Sequence, residues 1–191
     1  MDIGPWLRLP SLTNFTGEFI SVGSDVSTSG HPNLTSVSIS EGAIRKPFLG
    51  NLLGSGCKLE SFSYVFNTNG AVLDGGWATP FEIIYALRGN ASDSLTSLEI
   101  CCPAYEEEIP ASWNPSMTVF KKLECLKIDG CLLPQPTFKL PRSIKELHLH
   151  DCYPYFTERV EKLTNAIKLA HPALGSSGFT LAPCPSESSR R

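Results

Sequence analysis

Cysteine, aspartate and histidine follow three successive short apolar patterns: Cys101 after Leu98-Glu-Ile100, Asp129 after Leu126-Lys-Ile128, and His150 after Leu147-His-Leu149. Those residue types could make a cysteine-nucleophile site, in which imidazole takes the thiol proton and a carboxylate orients the imidazole. The order argues against it. On adjacent strands Asp129 occupies the middle and leaves His150 about two strand spacings from Cys101, whereas the base must lie between nucleophile and carboxylate. His148-Leu-His150 with Cys125 and Asp129 offers a second chemistry, zinc ligation. Zinc needs its donors at about 2.0 to 2.3 Å in a tetrahedron, and side chains standing parallel from an open sheet converge poorly. Gly50-Asn-Leu-Leu-Gly54-Ser-Gly56 fits neither a dinucleotide fingerprint nor a P-loop. The expectation is no enzyme, no catalytic residue, no metal site and no cofactor.

The elements that position these residues are repeats. Leu123-x-x-Leu126-x-Ile128-x-x-Cys131-x-Leu133 fits the pattern L-x-x-L-x-L-x-x-N/C-x-L, and Ile144-x-x-Leu147-x-Leu149-x-x-Cys152 follows it. Leu95-x-x-Leu98-x-Ile100, Leu59-x-x-Phe62-x-Tyr64 with Asn67, and Leu34-x-x-Val37-x-Ile39 keep the apolar triplet, and Leu12-x-x-Phe15 is a degenerate first copy. Starts at 12, 34, 59, 95, 123 and 144 give the short period of a leucine-rich-repeat solenoid, with one insertion between 59 and 95. Each repeat predicts one short strand of a parallel sheet, its leucines buried against the next copy. Asn67, Cys131 and Cys152 then read as structural ladder residues.

Between strands the chain must return on the other side. Thr79-Pro80-Phe81-Glu82 has capping-box spacing with proline at the first helical position, followed by Ile83, Ile84 and Leu87, with Gly89 placed to stop the helix. Pro47 to Leu53 is a shorter candidate, and Pro-rich Cys102 to Met117 reads as a loop. A last helix with Thr157 as cap, Val160, Leu163, Ile167 and Ala170 on one face and Pro172 at its end is expected to close the stack. The reading is one α/β leucine-rich-repeat domain over 1–173, a horseshoe segment with parallel strands on its concave face and a C-terminal capping helix. A flexible Ser/Gly/Pro-rich tail follows over 174–191.

That register also assigns an outward face. Its last strands carry charge and imidazole, and the predicted partner-binding residues are Glu99, Lys127, Asp129, Glu146, His148 and His150, arranged as rows across neighbouring strands. Six strands at about 4.8 Å spacing, each exposing about 13 Å, offer on the order of 300 Å². A stable interface needs roughly 800 Å² per partner, so the loops at 66 to 79 and 102 to 117 are expected to contribute.

Leu9-Pro-Ser-Leu12, Cys57-Lys-Leu-Glu-Ser-Phe-Ser-Tyr64, the Thr79-Pro80-Phe81 helix start, Ser94-Leu95-Thr-Ser-Leu98 and Leu140-Pro-Arg-Ser-Ile144-Lys-Glu-Leu147 together resemble the repeat region of fungal F-box/leucine-rich-repeat proteins. The Leu-Pro-x-Ser-Ile-x-x-Leu phrase also resembles plant disease-resistance repeats. The fungal resemblance implies a protein-interaction module that recognises targets for ubiquitin-dependent degradation. Repeats starting near Leu12 leave no room for an F-box ahead of them, so a ligase adaptor is implied as a partner only where an F-box lies upstream. The alternative is a ligand-sensing or scaffolding repeat segment without ligase, or a truncated gene fragment.

Composition narrows the rest. A net charge of -3 with 18% charged residues provides no basic field for nucleic acid or an anionic membrane. No apolar stretch approaches the roughly 20 residues of a membrane span, and the first ten residues do not resemble a signal peptide. Seven cysteines, an odd number without paired C-x-x-C motifs, favour reduced thiols. A cytoplasmic or nuclear protein with an unidentified protein partner is expected.

Overall fold

The computed structural model describes residues 9–18, 21–22, 33–54, 58–66, 78–102, 116–132, 139–151, 165 and 179–183. The architecture is α/β, organised by one parallel sheet. Its strands are β1 (Asn14–Glu18), β2 (Ser21–Val22), β3 (Ser36–Ile44), β4 (Ser61–Phe66), β5 (Ser97–Cys101), β6 (Cys125–Asp129), β7 (Glu146–Asp151) and β8 (Phe179–Pro183). They pair in the order β1-β3-β4-β5-β6-β7-β8, with β2 beside β3, and every pairing is parallel. Six of these strands begin two residues after the six repeat starts predicted above.

Alternation explains the core. Val37, Phe62, Leu98, Leu126 and Leu147 are opposite one another in register, as are Ile39, Tyr64, Ile100, Ile128 and Leu149, and all ten are fully buried. The leading residues Leu34, Leu59, Leu95, Leu123 and Ile144 are buried beside them. Each such side chain contributes about 1.5 to 3 kcal/mol by leaving water. A one-residue slip of any strand would exchange this apolar row for the polar one.

At each step one carbonyl accepts two successive backbone N–H groups of the next strand's start. Thr13 O takes Thr35 and Ser36, Thr35 O takes Glu60 and Ser61, Glu60 O takes Thr96 and Ser97, Thr96 O takes Glu124 and Cys125, and Glu124 O takes Lys145 and Glu146. A side-chain ladder reinforces this. The residue just before the leading apolar position donates one repeat back from Asn33 to Pro10 O (2.8 Å), from Ser94 to Leu59 O (2.7 Å) and from Ser143 to Leu123 O (2.8 Å).

The apolar face is covered by α1 (Lys46–Leu52) and α2 (Pro80–Asn90). The predicted capping box is present: Thr79 Oγ1 accepts the Glu82 N–H at 3.3 Å, and Glu82 Oε2 accepts the Thr79 N–H at 2.9 Å. Phe81, Ile83, Ile84 and Leu87 enter the core, while Tyr85 stays 61% exposed with the Arg88 guanidinium 5.3 Å from its ring centre. Lys46 Nζ meets Glu82 Oε1 at 2.8 Å and ties the helices together. Gly89 does not stop α2. The helix runs on to Asn90, whose side chain donates to Ala86 O at 2.9 Å, and ends at Ala91.

The tail expectation is corrected by β8. Residues 179–183, assigned to a flexible tail, pair with β7 and place Phe179 opposite Leu147 and Leu181 opposite Leu149. The alternation Phe-Thr-Leu supplies a strand period of two that the surrounding Ser, Gly and Pro concealed. Of the capping helix expected over 157–172, only Asn165 is described, and it is helical. Asn67 and Cys152 lie outside the described residues, as do 67–77 and 103–115 of the two expected loops.

β3 is longer than a repeat strand because it carries a bulge. Its register with β4 shifts between Ser40 and Gly42, and Glu41 between them has a φ of 51°. A left-handed non-glycine residue costs about 1 kcal/mol or more and persists only where its surroundings fix it. Here the Tyr64 hydroxyl donates to the Gly42 carbonyl at 3.2 Å inside the core.

Candidate functional site: the polar face of the sheet

The face opposite the helices is built from three register rows. One row runs Ser36, Ser61, Ser97, Cys125, Glu146 and the second Ser38, Ser63, Glu99, Lys127, His148; towards the strand ends a third holds Ser40, Val65 and Cys101 in register on β3 to β5, with Asp129 paired to His150 on β6 and β7 one residue past the last β5–β6 partners. Hydroxyls on β3 and β4 thus give way to charge, thiol and imidazole on β5, β6 and β7. Apart from Asp129, these side chains are half-buried or exposed, as expected.

The middle row is bonded across three strands. Ser63 Oγ donates to Glu99 Oε2 at 2.8 Å, and Glu99 Oε1 stands 3.8 Å from Lys127 Nζ. Glu146 Oε2 lies 3.6 Å from His148 Nε2. Burial first and the Glu146 carboxylate second push the Cys125 thiol up, only partly opposed by Lys127. A raised thiol is mostly protonated near neutral pH and a poor nucleophile.

Asp129 departs from the expectation. The register places it on the polar face, yet it is 1% exposed, so it is not a solvent-facing contact residue. Its Oδ2 accepts the backbone N–H of Cys102. An ionised carboxylate tolerates burial only when such donors replace water. Sequence reasoning missed this because strand alternation gives direction and not depth.

A second correction concerns convergence. One donor atom from each of Cys101, Asp129 and His150 lies within 4.8 Å of the others, and the same holds for Cys125, Glu146 and His148. Cys101 and His150 are two strands apart, about 9.6 Å between backbones at ordinary spacing, so their side chains lean together over Asp129. Parallel projection from the sheet is therefore the wrong picture at this end of the strands. The three groups meet around a point instead of forming a thiol-imidazole-carboxylate line. Among the described residues, Cys101, Cys102 and Cys125 are not joined in disulfides.

Comparison with protein-family models, with curated proteins and with solved structures returns no significant match. Among the described residues no helix is long and apolar enough to cross a membrane.

Proposed function

We propose that the chain is a leucine-rich-repeat solenoid segment that binds a protein partner through the polar face of its sheet. The observation that carries this reading is the in-register gradient from serines on β3 and β4 to Glu99, Lys127, Glu146, His148 and His150 on β5 to β7. A face that served only for solubility has no need of such ordering, whereas a partner of fixed shape reads polar groups at fixed spacing. Exposed pairs of this kind add little stability, at most about 1 kcal/mol each.

Area sets a condition on the reading. Seven strands lie on the pairing path. At about 4.8 Å spacing and about 13 Å of exposed length they offer on the order of 400 Å², about half of one side of a stable interface. The reading therefore requires further contacts from outside the sheet face, for which the insertion between the repeats starting at 59 and 95 is the sequence candidate. Target recognition for ubiquitin-dependent degradation is the specific form that the fungal F-box/leucine-rich-repeat resemblance favours, and it adds a ligase adaptor to the expected partners.

A tagged pull-down from the native cell, compared between the wild type and a folded Lys127→Glu/Glu146→Lys chain, tests both levels. Loss of one protein from the variant supports the binding face, and an adaptor retained by both supports the ligase role. Identical proteins from both chains would refute the binding face.

A further inference from the structure

We propose that Cys101, Asp129 and His150 form a binding site for a zinc-class divalent cation at the ends of β5, β6 and β7. This is independent of the protein-binding reading. The donor set is a thiol, a carboxylate and an imidazole, a combination suited to Zn²⁺ and to Co²⁺ as its spectroscopic substitute. Their donor atoms lie within 4.8 Å of one another. Donors on one tetrahedral zinc are separated by about 3.3 to 3.8 Å, so closure asks each to move by about 1 Å or less, within the reach of side-chain torsions.

Three features favour this cluster over Cys125, Glu146 and His148. First, its carboxylate is already desolvated and oriented: Asp129 is 1% exposed and accepts the Cys102 N–H, the outer hydrogen bond that metal-ligating carboxylates characteristically carry. Glu146, by contrast, has a side chain 61% exposed, and fixing it costs rotamer entropy. Second, charge balances. On binding, the metal displaces the Cys101 thiol proton to solvent, and one thiolate and one carboxylate then cancel its two charges while neutral His150 adds a lone pair. Third, Lys127 lies in the same row as His148 and places a cation beside the other cluster, whereas neither the Ser40, Val65, Cys101 row on β3 to β5 nor the Asp129–His150 pair on β6 and β7 includes a lysine or arginine. Three protein ligands leave a fourth position for water or a partner's donor, the pattern of an open site.

The test uses the full chain, stripped with chelator and titrated with Co²⁺ and then Zn²⁺. One Co²⁺ per chain should give tetrahedral visible bands with a thiolate charge-transfer band, displaced by one Zn²⁺. Cys101→Ser should lose the charge-transfer band and His150→Gln should weaken binding at least about tenfold. Cys125→Ser and His148→Gln should keep both. Since a variant can misfold, alkylation of the wild type provides a second reading, in which Zn²⁺ should slow the alkylation of Cys101 and leave the rate at Cys125, however low, unchanged. Absence of the thiolate band in the folded wild type, its loss with Cys125→Ser instead of Cys101→Ser, or unprotected Cys101 at saturating Zn²⁺ would each overturn the proposal.

Discussion

The Asp129 carboxylate accepts the backbone N–H of Cys102, the residue just past the end of β5, on the side of the sheet that alternation gives to solvent. The bond replaces water for a group that would otherwise be costly to bury. Asp129→Ala leaves the Cys102 N–H without this acceptor and should destabilise the metal-free chain by about 2 to 3 kcal/mol. Asp129→Asn keeps an acceptor oxygen and should lose less than half as much. Urea unfolding of the three chains in chelator measures this, and equal losses for Ala and Asn would disprove the assigned role.

The Glu82 carboxyl links α2 to α1. Burial acts to raise it, but hydrogen bonds from Lys46 and Thr79 and the charge of Lys46 outweigh burial and hold it below its ordinary value of 4.5. A depressed carboxyl stabilises the fold fully above its unfolded-state value and loses that contribution as the pH falls through the folded value. Melting curves of the wild type and Glu82→Gln should therefore differ near pH 7 and converge as the pH falls below 4.5 and through the folded value. A gap that stays constant with pH would show that the carboxylate charge is not what matters. Glu82 is partly exposed, so high salt should also narrow the gap.

Tyr64 titrates late for the opposite reason. Burial first and the adjoining Cys102 second hold its phenol well above the ordinary 10.0. Its contribution is present below that value and is lost as the pH rises through the folded one. Alkaline absorbance titration should show a late step, with Tyr64 silent until the chain unfolds, and Tyr64→Phe should abolish that step. Removing the hydroxyl from Gly42 should cost about 1 to 2 kcal/mol.

The Ser94 and Ser143 hydroxyls each bond a carbonyl one repeat back. Ser94→Ala and Ser143→Ala should each destabilise by about 1 kcal/mol, and the double variant should be additive because the two bonds share no partner. Chemical denaturation reads both. A loss below the error of the extrapolation at either position would remove the ladder from the account of stability.

Much of this fold could be read from spacing alone. Leu126, Ile128, Leu147 and Leu149 recur with a period that permits one burial direction, and the Thr79 to Glu82 capping box needs only local geometry, so both were legible. The serine ladder left a trace, a polar residue before the leading position in Asn33, Ser94 and Ser143, that matters only once neighbouring repeats are stacked. β8 was hidden by the composition around it. Asp129 was legible in direction and illegible in depth, because burial on the polar face and the lean of Cys101 and His150 over it depend on side-chain packing that periodicity does not encode.

The most direct test of the binding face is the affinity of the captured partner for three folded chains: wild type, Lys127→Glu/Glu146→Lys on the polar face, and Tyr85→Ala on the exposed side of α2. The account predicts that the double variant weakens binding at least about tenfold, about 1.4 kcal/mol, while Tyr85→Ala stays within about twofold of wild type. The reverse pattern, with Tyr85→Ala losing affinity and the double variant keeping it, would contradict the account and move the interface to the helical side.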